Sequence, residues 1–181
     1  MTASLLPSVT AADHAQGPVD APVTLVQYGN YECLHCRRAF PFVEALRDEV
    51  GDGLRVVFRH YAPTADFPNA ERAAAAAEAA AAQGKFWEMH ARLMLGPPAL
   101  HLAALLAQAA DLGLDDRRVR EELTGHVHLT RVREDLAGGI EAGVRSTPSF
   151  FVNGVAHPAA WDLDGLRAAV LAALEEAGAR R

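Results

Sequence analysis

The chain has two cysteines, and two residues separate them: Cys33-Leu34-His35-Cys36. Thiols one helical turn apart can close a disulfide with each other, and the N-terminal one can attack disulfides elsewhere. The pair follows an apolar run, Val23-Thr24-Leu25-Val26-Gln27-Tyr28, and opens a segment that reads as a helix from Arg37 to Val50. A helix start carries about half a positive charge on its unpaired amides. A thiolate at Cys33 is therefore stabilised, and its pKa is expected to fall from ~8.5 into the range ~3.5–7.5. Cys36, one turn further in, is expected to be more buried and protonated. His35, when protonated, would stabilise the Cys33 thiolate further. That weakens the disulfide relative to the dithiol and makes the oxidised form the better oxidant. In this chemistry Cys33 forms the mixed disulfide with substrate and Cys36 resolves it.

A competing use of the same pair is zinc. A Cys2His2 site needs two further ligands at short, regular spacing. The nearest histidine pair, His126 and His128, is far along the chain and separated by one residue. The remaining histidines, 14, 60, 90, 101 and 157, read as surface or capping residues. A second feature is Ser146-Thr147-Pro148-Ser149-Phe150. A proline at the mouth of a strand is confined to an edge or first position. With a cis Thr147–Pro148 bond, a free backbone N–H and C=O would lie beside the cysteines. A substrate chain could then hydrogen-bond there as an added strand.

These residues need elements to hold them. Val23–Tyr28 reads as a strand covered on both faces, and Leu54–Tyr61 as a second. One helix lies between them, so the unit is βαβ and right-handed. Pro41 falls inside that helix, where a kink is expected. From about Asn69 to Gly143 no strand signal is found. Asn69 is placed as an N-cap, followed by helix over Ala70–Gln83 and Phe86–Leu95. Leu102, Leu105, Leu106, Ala109 and Leu112 keep a helical spacing. Shorter helices are expected around Arg117–Leu123 and Thr130–Ala142. Phe150–Val152, Asn153-Gly154 and Val155-Ala156 read as a tight hairpin, because Asn-Gly supplies the positive φ values of a two-residue turn. The last helix runs from Asp162 to about Ala177, with Leu163, Leu166, Val170 and Leu174 on its buried stripe. Residues 1–22 read as an irregular lead-in with a short edge strand near Val9.

Composition bounds the function classes. With 181 residues, one domain or one domain with a large insertion is expected. A net charge of −6 argues against a nucleic-acid binder. The arginines at 117, 118, 120, 131 and 133 read as a solvated helix face. No stretch is long and apolar enough to span a membrane. Met1–Gly17 has no lysine or arginine and only Leu5-Leu6 as an apolar run, unlike a secretory signal. The expectation is a cytoplasmic chain, where a structural disulfide is disfavoured and a reactive pair favoured.

The combination resembles the thioredoxin superfamily and, within it, the DsbA-like thiol oxidoreductases. The resemblance covers about residues 13–175. It rests on Tyr31-Glu32-Cys33-Leu34-His35-Cys36 after the strand, on Pro41, on Thr147-Pro148 and on Phe151-Val152-Asn153-Gly154. Gly84-Lys85-Phe86-Trp87-Glu88-Met89-His90 is similar to a recurring sequence of the helical insertion in such proteins. The resemblance implies an α/β, thioredoxin-like fold, with a core of residues 1–63 and 144–181 and an inserted helical domain over 64–143. It implies Cys33 as nucleophile, Cys36 as resolving thiol, His35 as the histidine of the oxidising motif, Thr147 on substrate backbone, and Pro148 keeping metal away from the thiols. It implies no organic cofactor, protein or small-molecule thiols and disulfides as substrates, and a separate redox partner for recycling. Two residues depart from the pattern: Leu34 replaces a proline, and Gln27 stands where many relatives carry a buried acid. An apolar substrate groove is expected from the insertion, with Phe67 and Trp87 nearby. The alternatives are a kappa-type glutathione transferase, which shares the inserted architecture but usually presents a serine, and a zinc-clipped interaction module.

Overall fold

The computed structural model describes residues 6–158 and 162–179; the first five residues of the lead-in lie outside them. Five strands form one mixed sheet: β1 (His14–Gln16), β2 (Val23–Gly29), β3 (Leu54–His60), β4 (Ser149–Val152) and β5 (Val155–Ala156), in the order β1-β3-β2-β4-β5. β2 and β3 are parallel, and β4 runs antiparallel to β2. The crossover between the parallel pair is α1 (Leu34–Val50), continuous through Pro41. Five helices separate β3 from β4: α2 (Ala70–Ala81), α3 (Phe86–Leu95), α4 (Leu102–Asp111), α5 (Asp116–Thr124) and α6 (Leu129–Glu141). α7 (Leu163–Ala179) closes the described fold.

The alternation of side chains along the strands divides the core. Val23, Leu25, Leu54 and Val56 face α1 and α7, packing with Val43, Leu46, Leu166 and Val170. Val26, Tyr28 and Val57 face the other way, against Tyr61, Val144 and Phe151. β2 is thus buried on both sides, as its unbroken apolar run requires. The hairpin turn has Asn153 at φ 46° and Gly154 at φ 81°, the two positive values a type I′ turn demands.

α2 is the pillar of the helical block. Ala70 and every alanine from Ala73 to Ala80 are buried, so the helix is covered all round. Small side chains let α3, α4, α5 and α6 approach it from several sides. One buried cluster runs from these alanines through Phe86, Met89 and Leu93 to Phe58, Tyr31, Cys33 and Cys36. The helical block and the cysteine helix therefore share a core.

Three expectations are corrected. The edge strand forms at His14–Gln16, pairing antiparallel with β3, rather than near Val9. Val9 instead packs against the buried cluster that includes Val26, Tyr28 and Val57. The backbone there is tied down by Arg59, which grips the Asp13 carboxylate with two nitrogens and donates to the carbonyls of Pro7 and Ser8. Asn69 precedes α2 but its side chain does not cap it; its amide is claimed by Glu32. His60 and His90 are fully buried rather than at the surface, because the helical block covers the sheet face from which His60 projects. His101 does cap α4, accepting from the Ala104 amide. The arginines read as a solvated face pair with local acids, as Arg117–Glu121, Arg118–Glu122, Arg131–Asp135 and Arg133–Glu71.

Candidate active site

β2 ends at Gly29 and α1 begins at Leu34, so the residues between them must turn the chain over the sheet edge. Asn30 builds that turn. Its Oδ1 accepts from the amides of Glu32 and Cys33, at 3.1 and 2.8 Å. This is an Asx turn, a side chain standing in for backbone. Its Nδ2 donates to the Tyr61 carbonyl at 3.0 Å and reaches Thr147 Oγ1 at 3.3 Å. One buried amide thus links the cysteine turn, the end of β3 and the loop before β4.

The next two residues bind the helical block. Tyr31 is fully buried, and its hydroxyl lies 3.0 Å from His90 Nδ1 on α3. Burial pushes the Tyr31 phenol up and the His90 imidazole down to about 3. The tyrosine therefore donates and the neutral histidine accepts. Glu32 receives the backbone and side-chain amides of Asn69, at 2.8 and 2.9 Å. Arg37, one turn into α1, donates to the carbonyls of Leu93 and Gly96 at the end of α3.

Cys33 occupies the N-cap of α1 and Cys36 lies in its first turn. Both thiols are free. Cys36 is wholly covered and Cys33 is 3 % exposed, while Leu34 and His35 between them face solvent. The two sulfurs are unlike electrostatically. The Cys36 thiol hydrogen-bonds Cys33, and Thr147 and the backbone amides of Cys36 and His35 act in the same direction. Together they overcome burial and bring Cys33 down to about 5. Cys36 is pushed well up, first by burial and then by the charge on Cys33. Environments that drive two neighbouring groups apart assign them different work.

The Thr147–Pro148 peptide is cis, and the Thr147 carbonyl lies 3.3 Å from Cys33 Sγ. The sequence-predicted residues Cys33, Cys36, Thr147 and Pro148 are therefore brought together. A groove of about 580 Å³ runs along this side, lined by His35, Arg38, Ala39, Ser146, Thr147, Pro148 and Leu163. Its walls are α1, the Pro148 loop and α7. Phe67 and Trp87, expected near an apolar groove of the insertion, do not line this one. Both aromatics are half-buried against the cluster inside the helical block.

Gln27 is buried on β2, on the face turned to α1, and its Nε2 has no hydrogen-bond partner among the described residues. A Cβ placed on Gly29 would lie 3.2 Å from Cys36 Sγ and 3.4 Å from Gln27 Nε2. The amide and the buried thiol thus both border Gly29, but the amide offers no group that ionises. The zinc alternative gains no ligands: among the described residues, the cluster of three potential donors contains neither cysteine. His128 is engaged by Glu122.

Asn30, Glu32 with Asn69, and Tyr31 with His90 were not singled out as site residues from the sequence. Asn30 carried a legible signal, an Asx residue three before a helix cap. The other partners join distant segments and carried none.

Comparison with known proteins agrees with this geometry. The chain is similar in structure to a thioredoxin-like oxidoreductase from Silicibacter pomeroyi, with a TM-score of 0.80 and 27 % identity over 97 % of this chain and 98 % of that one. It is similar in fold to alpha-DsbA1 of Wolbachia pipientis (TM-score 0.82, 18 % identity, 99 % of each chain). BdbD of Bacillus subtilis is a third (TM-score 0.76, 21 % identity, 89 % of this chain and 92 % of that one). In sequence it is 44 % identical to the Na(+)/H(+) antiporter NhaA 1 of Salinispora arenicola, over 89 % of this chain but 24 % of that protein. The chain spans about a quarter of the length of the curated relatives it matches. A DsbA-like fold with an intact Cys-x-x-Cys supports thiol–disulfide oxidoreductase chemistry. The thioredoxin family model matches residues 9–172, nearly the whole of the chain, and the chain belongs to that family.

Proposed function

We propose that the chain exchanges disulfides with protein or small-molecule thiols, with Cys33 as nucleophile and Cys36 as resolving thiol. The observation that carries this reading is the opposed ionisation of the two sulfurs, Cys33 down to about 5 and Cys36 well up. At neutral pH the first is a thiolate and the second holds its proton.

The Cys33 thiolate attacks one sulfur of a substrate disulfide. The substrate S–S bond breaks, and the leaving thiolate takes up a proton. Cys36 then loses its proton and attacks Cys33 Sγ, which releases the second substrate thiol. Two electrons have passed from the dithiol to the substrate, and the Cys33–Cys36 disulfide remains. The reverse sequence oxidises a substrate dithiol. A pKa of about 5 lies between the ~7 of a reducing Cys-x-x-Cys protein and the ~3.5 of a strongly oxidising one. Stabilising the thiolate stabilises the reduced form, which favours the oxidising direction. His35, exposed at the helix start, adds to that effect when protonated. Thr147 and Pro148 would receive the substrate backbone as an added strand. Cys36 has no ionisable neighbour at Gln27, so its proton leaves through solvent or the departing substrate thiolate. The cysteines carry the electrons without an organic cofactor, and a separate redox partner resets them.

The reading keeps the cytoplasm as the compartment; fractionation with thiol trapping in cells tests it. Recovery with the membrane fraction instead, as the antiporter relatives would suggest, would overturn that placement. The chemistry is tested by substitution. Cys33→Ser is expected to abolish exchange, and Cys36→Ser to accumulate mixed disulfides through Cys33. Exchange at the parental rate in both variants would refute the reading.

A further inference from the structure

A second group of chemically capable side chains lies away from the thiols, where the sheet meets the helical block. β1 pairs with β3 so that His14 stands opposite Phe58. His60, two residues on, projects from the same face of the sheet. Both imidazoles therefore point to one side, as diagonal neighbours across the two strands. α2 crosses above them and places Glu78 there, the only charged residue in the buried stretch Ala73–Ala80. His14 Nε2 and His60 Nε2 lie 2.7 and 2.8 Å from the same oxygen, Glu78 Oε1. Three potential ligand atoms lie within 4.8 Å of one another. The His14 ring is fixed by stacking on Phe86, centroids 3.5 Å apart and planes at 8°. His60 is fully buried and Glu78 nearly so, while the His14 side chain is 16 % exposed, which leaves one route to solvent.

Two imidazole nitrogens and one carboxylate oxygen form a three-ligand zinc set with an open fourth position. Calcium and magnesium take oxygen donors and are excluded by this set. We infer that His14, His60 and Glu78 form a zinc site that clamps the helical block to the edge of the sheet.

The step from the present contacts to the metal-bound form balances simply. In these contacts the Nε2 of each ring faces Glu78 Oε1. Coordination needs both Nε2 lone pairs, so a proton on Nε2 moves to an unprotonated Nδ1 of the same ring or is released to solvent, and the carboxylate turns from acceptor to ligand. Ligand atoms at roughly 2.0–2.2 Å from a zinc ion stand further apart than hydrogen-bonded ones. The two imidazole–carboxylate contacts must therefore widen by a few tenths of an ångström, which the partly exposed His14 can accommodate by sliding along the face of Phe86. His60 Nδ1 has no partner among the described residues. A zinc-bound histidine without such a partner loses about 10–100-fold in affinity. The site is accordingly a moderate, exchangeable one.

The test uses the whole chain with Cys33→Ser and Cys36→Ser, so that no thiolate competes. Brought to equilibrium by dialysis against zinc chloride, it should retain one zinc per chain and melt at a higher temperature than with a chelator. Adding His14→Ala should lower zinc affinity at least about tenfold. Should that variant fail to fold, cobalt(II) on the parental chain gives the second reading. Visible d–d bands without a thiolate charge-transfer band are expected. No retained zinc in the cysteine-free chain means a hydrogen-bonded strut only and overturns the inference. So does unchanged affinity in His14→Ala, or a cobalt spectrum of thiolate character alone.

Discussion

At the scale of single residues, the active chemistry depends on an asymmetry within one helical turn. The Cys36 thiol is the first cause of the low pKa of Cys33. Replacing it, in Cys36→Ala, removes the donor and is expected to move the Cys33 alkylation midpoint up from about 5 toward the ordinary thiol value. Rates of iodoacetamide labelling against pH would measure this; an unmoved midpoint would transfer the effect to the helix amides. His90 gives a second prediction. Buried, and near His60 and His14, it titrates at about 3 against 6.5 when unfolded. Between those values the unfolded chain binds a proton that the folded chain refuses, so stability falls as pH drops through the window. The slope approaches one proton, or about 1.4 kcal/mol per pH unit. In His90→Phe that component disappears, although the Tyr31 hydroxyl loses its acceptor. Urea melts across the window would show a shallower pH dependence. The cysteines and Thr147-Pro148 were legible in the sequence because their chemistry is local. His60 and His90 were not, since burial is decided by a helical block joined to the sheet from far along the chain.

At the scale of elements, β2, α1 and the Pro148 loop converge with little room to spare. Gly29 has Phe58 at 3.1 Å and Cys36 Sγ at 3.2 Å from where a Cβ would stand. Gly29→Ala must displace one or the other. Overpacking of this kind costs about 1–3 kcal/mol. The variant should unfold at lower denaturant and close the Cys33–Cys36 disulfide more slowly, both readable on one preparation. Arg37 makes the complementary case. Its guanidinium satisfies two carbonyls at the end of α3, and such charge-assisted bonds contribute about 1.5–3 kcal/mol each. Arg37→Ala should loosen the Leu93–Gly96 turn, with faster amide hydrogen exchange confined there. Element positions were legible because α3, α4 and the Asn153-Gly154 hairpin are signalled by local periodicity and turn chemistry. Asn69 and Val9 were misread because Glu32 and Arg59, distant in sequence, outbid the local preference.

At the scale of the whole molecule, the helical block is a packed extension of the active-site core. Ala70 and the alanines from Ala73 to Ala80 form its axis and are buried on every side. Ala76→Leu is therefore expected to cost about 1–3 kcal/mol and to be felt at Cys33 through the shared cluster. A thermal melt together with Cys33 labelling would show both effects. The aromatics Phe67 and Trp87 serve this packing, and the groove beside the thiols is made by α1, the Pro148 loop and α7 instead. That arrangement depends on how α7 returns across the sheet, which no local pattern encodes. The account as a whole rests on ionisation at one sulfur. Thiolate absorbance near 240 nm, followed from acid to alkaline pH in the reduced chain, tests it directly. The prediction is a step with its midpoint near 5, absent in Cys33→Ser and kept in Cys36→Ser only at a higher pH. A single step at or above ~8.5, the value of an unperturbed thiol, would contradict the account.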